Sequence, residues 1–189
     1  QGLKAYGYDQ IAADLAEKSS DLFLRIWKNY ALCPENFDSR TGEPGGQRYQ
    51  SWGPLFALMA VEEYLEVSPW DGLRFGQLQP RKNGYLRRLD VLGRHYEVEI
   101  SSDRIKLIEE KKELIKTDGP AVFRHFLYSD REISFEIKSL KKIKIDISLG
   151  RERRGQLIIN GKEAGQFRGN RIRTQVPAGE YQVVIILSD

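Results

Sequence analysis

Three carboxylates, two guanidinium groups and three aromatic rings fall within the 18 residues from Glu35 to Trp52. They are Glu35, Asp38 and Glu43, Arg40 and Arg48, and Phe37, Tyr49 and Trp52, with Gly42, Gly45 and Gly46 between them. This combination suits a polar ligand such as a sugar. Carboxylates accept hydroxyl protons, aromatic faces cover sugar C–H surface, and glycines let the backbone approach closely. Composition alone favours a charged, solvated loop, so the elements that hold the segment and the order of its residues decide its meaning.

Those elements are legible from periodicity. Between Asp9 and Tyr30 the apolar residues Ile11, Leu15, Leu22 and Ile26 recur at helical spacing, with Phe23 and Trp27 widening the stripe, which predicts a long helix. Pro34 ends it, and Asn36 to Gln50 lacks periodicity and reads as a loop. A second helix is predicted from Ser51, its N-cap, to about Leu65. Trp52, Leu55, Phe56, Leu58, Met59 and Val61 leave it almost no polar face, so it should be enclosed by more protein than one other helix supplies.

Beyond Ser68-Pro69-Trp70-Asp71-Gly72 the period changes to alternation, as in 96–100, 133–137 and 143–147, with further strands near 85–92, 104–108, 121–128, 155–159, 163–167, 171–176 and 181–187. Asn160-Gly161 and Pro177-Ala178-Gly179 mark hairpin turns, and Arg151-Glu152-Arg153-Arg154 reads as an exposed turn. Many short strands with frequent turns predict an antiparallel β-sandwich. Charge divides in the same place: residues 1–70 hold 6 Lys/Arg against 10 Asp/Glu, and residues 71–189 hold 24 against 17.

The order Glu-Asn-Phe-Asp, Thr-Gly-Glu, Gly and Ser-Trp across Glu35 to Trp52 resembles the C-terminal motif of (α/α)6-toroid glycosidases of families 37 and 63, which include trehalases, processing α-glucosidases and mannosylglycerate hydrolases. Phe37 stands where Tyr is usual, and Gln50 and Gly53 depart from the pattern. The resemblance covers roughly residues 8–66. It implies that residues 1–70 are the terminal helical hairpin of an (α/α)6 catalytic domain and that 71–189 form an appended β-sandwich, an α+β multidomain arrangement. It also implies inverting hydrolysis of an α-linked glucoside or related sugar, with Glu35 as general base and Phe37, Glu43, Tyr49 and Trp52 as substrate-binding residues. Two carboxyl groups roughly 6.5–9.5 Å apart then flank the scissile bond, one protonating the leaving oxygen and the other activating water. A cation such as Arg40 or Arg48 would keep Glu35 ionised. The family's acid is an upstream Asp that these residues do not contain, so the chain alone is expected to be inactive.

Other chemistry is poorly served. His95 and His125 lack companions at metal-ligand spacing, Cys33 is the single cysteine, and Gly42-Glu43-Pro44-Gly45-Gly46 lacks the Lys-Ser/Thr of a phosphate loop, so neither metal nor cofactor is expected. No apolar run is long enough to span a membrane, which predicts a soluble protein without fixing its compartment. The Lys/Arg-rich β region reads as exposed strand faces and protected edges rather than a nucleic-acid footprint. The expected partners are carbohydrate and either the remainder of the toroid or a second copy. The competing reading is a stand-alone carbohydrate-binding or interaction module in which Tyr85, Tyr96 or Tyr128 supplies an aromatic platform.

Overall fold

A computed structural model describes residues 2–50, 55–68, 70–91 and 93–188. The chain divides into two compact units, Gln1–Glu63 and Tyr64–Asp189.

The first unit contains the helices α1 (Gly2–Ala5), α2 (Asp9–Tyr30) and α3 (Leu55–Tyr64) and a short ribbon of β1 (Asn36–Phe37) and β2 (Pro44–Gly45). Asp9 lies in the first turn of α2, favourably placed at the positive end of the helix dipole. The helix ends where Ala31 turns into the left-handed region and its N–H bonds the Trp27 carbonyl. Small residues let α2 pack closely: Ala12 and Ala16 are buried along with Ile26, while Ile11, Leu15, Leu24 and Trp27 remain exposed. Ser20 donates to the Phe56 carbonyl at 3.0 Å, and Phe23 stacks on Phe56 at 6.3 Å. Lys4 pairs with Glu63 at 2.7 Å with both side chains buried, and also donates to the Glu62 carbonyl. Removing either partner would strand a buried charge.

The second unit is one large antiparallel sheet. Its strands are β3 (Leu65–Ser68), β4 (Gly72–Gly76), β5 (Gly84–Val91), β6 (Arg94–Ile100), β7 (Ile105–Glu109), β8 (Lys112–Thr117), β9 (Val122–Tyr128), β10 (Glu132–Ser139), β11 (Ile143–Ile159), β12 (Lys162–Val176) and β13 (Gly179–Ser188). They run in the order β3-β4-β9-β10-β13-β11-β8-β7-β6-β5, with β12 paired to β11. The sheet wraps into a nearly closed barrel whose strand order ends at β3 and β5, and β12, paired only to β11 among the described residues, has a further free edge. Bending is built into β11: its first half pairs with β8 and its second half with β13, across a register shift between Ser148 and Arg153.

Alternation places Val98 and Ile100, Ile105 and Leu107, Ile133, Phe135 and Ile137, and Ile143, Ile145 and Ile147 on the inner face. Phe75, Phe123, Phe126 and Phe135 form a closed cluster of rings at its centre. Gly76 lies where β4 meets β9, with φ +91 and the space of its absent Cβ occupied by the Ala121 carbonyl. Gly76→Ala is therefore expected to cost about 1–3 kcal/mol, from strain at positive φ together with displacement of β9. Thermal denaturation should register a fall of several degrees.

This architecture corrects the expected fold class. The chain is mostly β, with 54% strand and 19% helix, and no toroid hairpin is formed. Helices α2 and α3 are of unequal length, 22 and 10 residues, and a β ribbon lies between them. Leu65, expected to finish a helix, instead opens β3, whose partner β4 joins it to the sheet. The face of α3 that was expected to be enclosed leaves Leu55 and Leu58 about half exposed. The antiparallel β region expected after residue 70 is present, and the bent β11 carries it round as a sandwich- or barrel-like sheet. The expected N-cap Ser51 and the ring of Trp52 lie outside the described residues.

Candidate functional site

The segment after α2 folds back on itself as a ribbon. The N–H of Cys33 bonds the Arg48 carbonyl, that of Glu35 bonds the Gln47 carbonyl, and that of Gln50 returns to the Cys33 carbonyl, at 2.9–3.0 Å. Asn36 then pairs with Gly45 and Phe37 with Pro44. The tip is tied by Asp38, whose carboxylate accepts the N–H groups of Arg40 and Thr41, each at 2.8 Å. Those backbone bonds, that of Thr41 first, hold the Asp38 carboxyl below the usual carboxylate range.

Glu35 is exposed at the base of this ribbon, and its Oε2 accepts the Gln47 N–H at 3.1 Å. Gly46 makes that possible. It has φ +70, and a Cβ there would lie 2.6 Å from Glu35 Oε2 and 2.7 Å from Glu35 Cβ. The glycine thus leaves room for the carboxylate to fold over the opposing strand. The Gln47 N–H holds Glu35 Oε2, and the Arg40 N–H bonds the Asp38 carboxylate.

The remaining candidates are distributed around the ribbon. Phe37 is half buried and meets Phe56 edge-on at 5.5 Å, so it joins the ribbon to α3. Glu43 is exposed and accepts the Tyr30 hydroxyl at 3.1 Å; that bond and the charge of Glu43 raise the Tyr30 hydroxyl. Tyr49 bridges Cys33 through the backbone, and its side chain is 69% exposed. Glu35 and Tyr49 are thus accessible from solvent, Phe37 is committed to packing, and Trp52 lies outside the described residues. Sequence reasoning did not single out Gly46 or Gln47 as the residues that position Glu35. Their signal was the paired glycines at 45–46, which also suit an ordinary loop.

The tyrosines of the second unit occupy different settings. Tyr85 is on β5, donates to Glu97 and lies beneath the Arg87 guanidinium at 4.3 Å. Tyr96 is buried on the inner face of β6 and donates to Glu109 Oε1 at 2.9 Å, the oxygen that also accepts Arg94 Nη1 at 2.9 Å. Burial, then the bond to Glu109 and its charge, push the Tyr96 hydroxyl up to about 12. An ordinary tyrosine in the unfolded chain ionises near pH 10. Below about pH 10 both states hold the proton and the contribution of Tyr96 is constant. From there to the folded value of about 12 only the unfolded chain ionises, so stability falls with rising pH. Comparing denaturation midpoints at pH 9 and pH 11, Tyr96→Phe should lose less stability over this interval than the parent chain.

His125 stands within 3.9 Å of carboxylate oxygens of Asp71 and of Glu136. No group of three or more His, Cys, Asp or Glu side chains is placed to hold a metal ion among the described residues. None of their helices is long and apolar enough to cross a membrane. No family model matches the sequence, and no curated protein or solved structure matches it either.

Proposed function

We propose that the ribbon of residues 33–50 is one wall of a sugar-hydrolysing site in which Glu35 is the general base of inverting cleavage of an α-glycosidic bond. The observation that carries this reading is the placement of Glu35: an exposed carboxylate, oriented by the Gln47 N–H and given room by Gly46. A general base must present an oxygen in a fixed direction so that the attacking water is aligned with the anomeric carbon. The motif order across Glu35 to Trp52 supports the same assignment.

Inverting cleavage also needs a general acid, which this reading assigns to a partner packed on the exposed apolar side chains of α2, Ile11, Leu15, Leu24 and Trp27. In this reading Tyr49, exposed on the ribbon, contacts sugar, and Glu43 accepts a hydrogen bond from a sugar hydroxyl in place of that from Tyr30.

The test is the stereochemistry of hydrolysis. The complete gene product, given a panel of α-linked glucosides and mannosides and followed by proton NMR, should release the β-anomer first. Release of the α-anomer first would contradict an inverting base. Sugar binding without hydrolysis by any member of the panel would favour a carbohydrate-binding module instead.

A further inference from the structure

The barrel of the second unit is unclosed along one seam, between the rim strands β3 and β5, and that seam holds a cavity of about 430 Å³. Every strand flanking the opening contributes to its wall. Val67 comes from β3, Leu73 from β4, Val91 from β5 and Leu114 from β8, while Phe126 and Tyr128 come from β9. At one side of the seam Tyr64 closes the gap, its ring occupying the space a Cβ would need at Gly84. The cavity is what remains open beyond it. Its size lies within the range of roughly 300–1,000 Å³ typical of small-molecule sites, and barrel mouths are a recurrent place for them.

A purely structural seam would be expected to continue the apolar inner face. Instead, the inward alternation Ile105, Leu107 on β7 ends in Glu109, and Tyr96 and Arg94 on β6 converge on the same carboxylate oxygen. The Glu109 side chain is only 16% exposed, whereas that of Arg94, which also lines the cavity, is 59% exposed. Tyr128 adds a half-buried ring whose hydroxyl has no hydrogen-bond partner among the described residues. The charges of Arg94 and Glu109 cancel, so neither an anion nor a cation is favoured without breaking that pair. Aliphatic and aromatic walls suit a ligand with an apolar face, and the carboxylate, guanidinium and phenol suit hydroxyl groups at its rim.

From this lining we infer that the seam of the barrel is a binding site for a neutral polyhydroxylated ring of monosaccharide size. The site belongs to the second unit alone and is independent of the assignment of Glu35. Occupancy adds no covalent step.

The test is an NMR titration of the full 189-residue chain with D-glucose, D-mannose and methyl α-D-glucopyranoside at up to tens of millimolar, with cyclohexanol as a ring bearing one hydroxyl. At least one sugar should produce saturable shifts clustered at Leu73, Val91, Tyr96 and Tyr128, with cyclohexanol weaker. Glu109→Gln and Tyr128→Phe should each weaken that binding about tenfold, while Tyr85→Phe, outside the cavity, should leave it unchanged. Tyr128→Phe removes a hydroxyl without a protein partner and keeps its ring, so it remains informative if Glu109→Gln unfolds the barrel. Shifts that do not saturate with any of the three sugars, equal or tighter binding of cyclohexanol, or binding indifferent to Tyr128→Phe would overturn the inference. Glu35→Gln should not alter the titration, which separates this site from the ribbon.

Discussion

Phe123→Ala is expected to lower the stability of the barrel unit by about 3–5 kcal/mol, the range for emptying a buried phenylalanine site. Phe123 has no exposed surface and lies almost parallel to Phe75 at 4.6 Å, with Phe135 against it at 5.4 Å. Its loss removes two of the four contacts that close the ring cluster and opens a cavity shared by β4, β9 and β10. The surrounding strands are held by their ladders on both sides, which limits how far the walls can collapse. Urea denaturation followed through the β signal in circular dichroism measures the loss. A change below about 1 kcal/mol would mean that the cluster is not packed as described.

Much of this sheet was legible in the sequence because alternation of buried and exposed residues is a direct consequence of strand geometry. The run from Ile143 to Ile147 alternates in burial as its side chains alternate in type, and Asn160-Gly161 forms the turn its residues favour, with φ 49 and 72. Where chain ran on through a bulge, however, sequence suggested an end. Arg151 to Arg154 looked like an exposed turn, yet these residues lie within β11 and Arg153 is buried. Likewise 163–167 and 171–176 are parts of the one strand β12, which passes through Gly165 and Gly169 at φ 152 and 151.

The β7–β8 hairpin was missed for a different reason. Its turn residues Glu110 and Lys111 both adopt positive φ, 48 and 66, without the glycine or asparagine that normally announces such a turn. The charge-rich sequence through 109–113 therefore hid strand β8. Helix α2 was readable from its period, but its buried face was not: small Ala12 and Ala16 are inside, while larger Ile11 and Leu15 are outside. Hydrophobicity alone ranks those residues the other way. At the ribbon, Glu35 stood out by type and order, whereas the Gln47 N–H that orients it is backbone, which no residue identity displays.

The second large effect concerns Glu35 itself. Replacing its carboxylate with an amide keeps the shape of the side chain and an oxygen able to accept the Gln47 N–H, but removes the group that takes a proton from water. General bases contribute about 10²–10⁴-fold to turnover. Because Glu35 is exposed on the ribbon, the substitution should leave stability near that of the parent. The most direct measurement is therefore the turnover of Glu35→Gln in the complete gene product, on whichever α-glycoside the unaltered protein hydrolyses, with its denaturation midpoint recorded beside it. The account predicts a loss of about 10²–10⁴-fold in kcat with an unchanged midpoint and sugar affinity largely retained. Turnover within a few-fold of the parent would contradict the assignment of Glu35 as the general base.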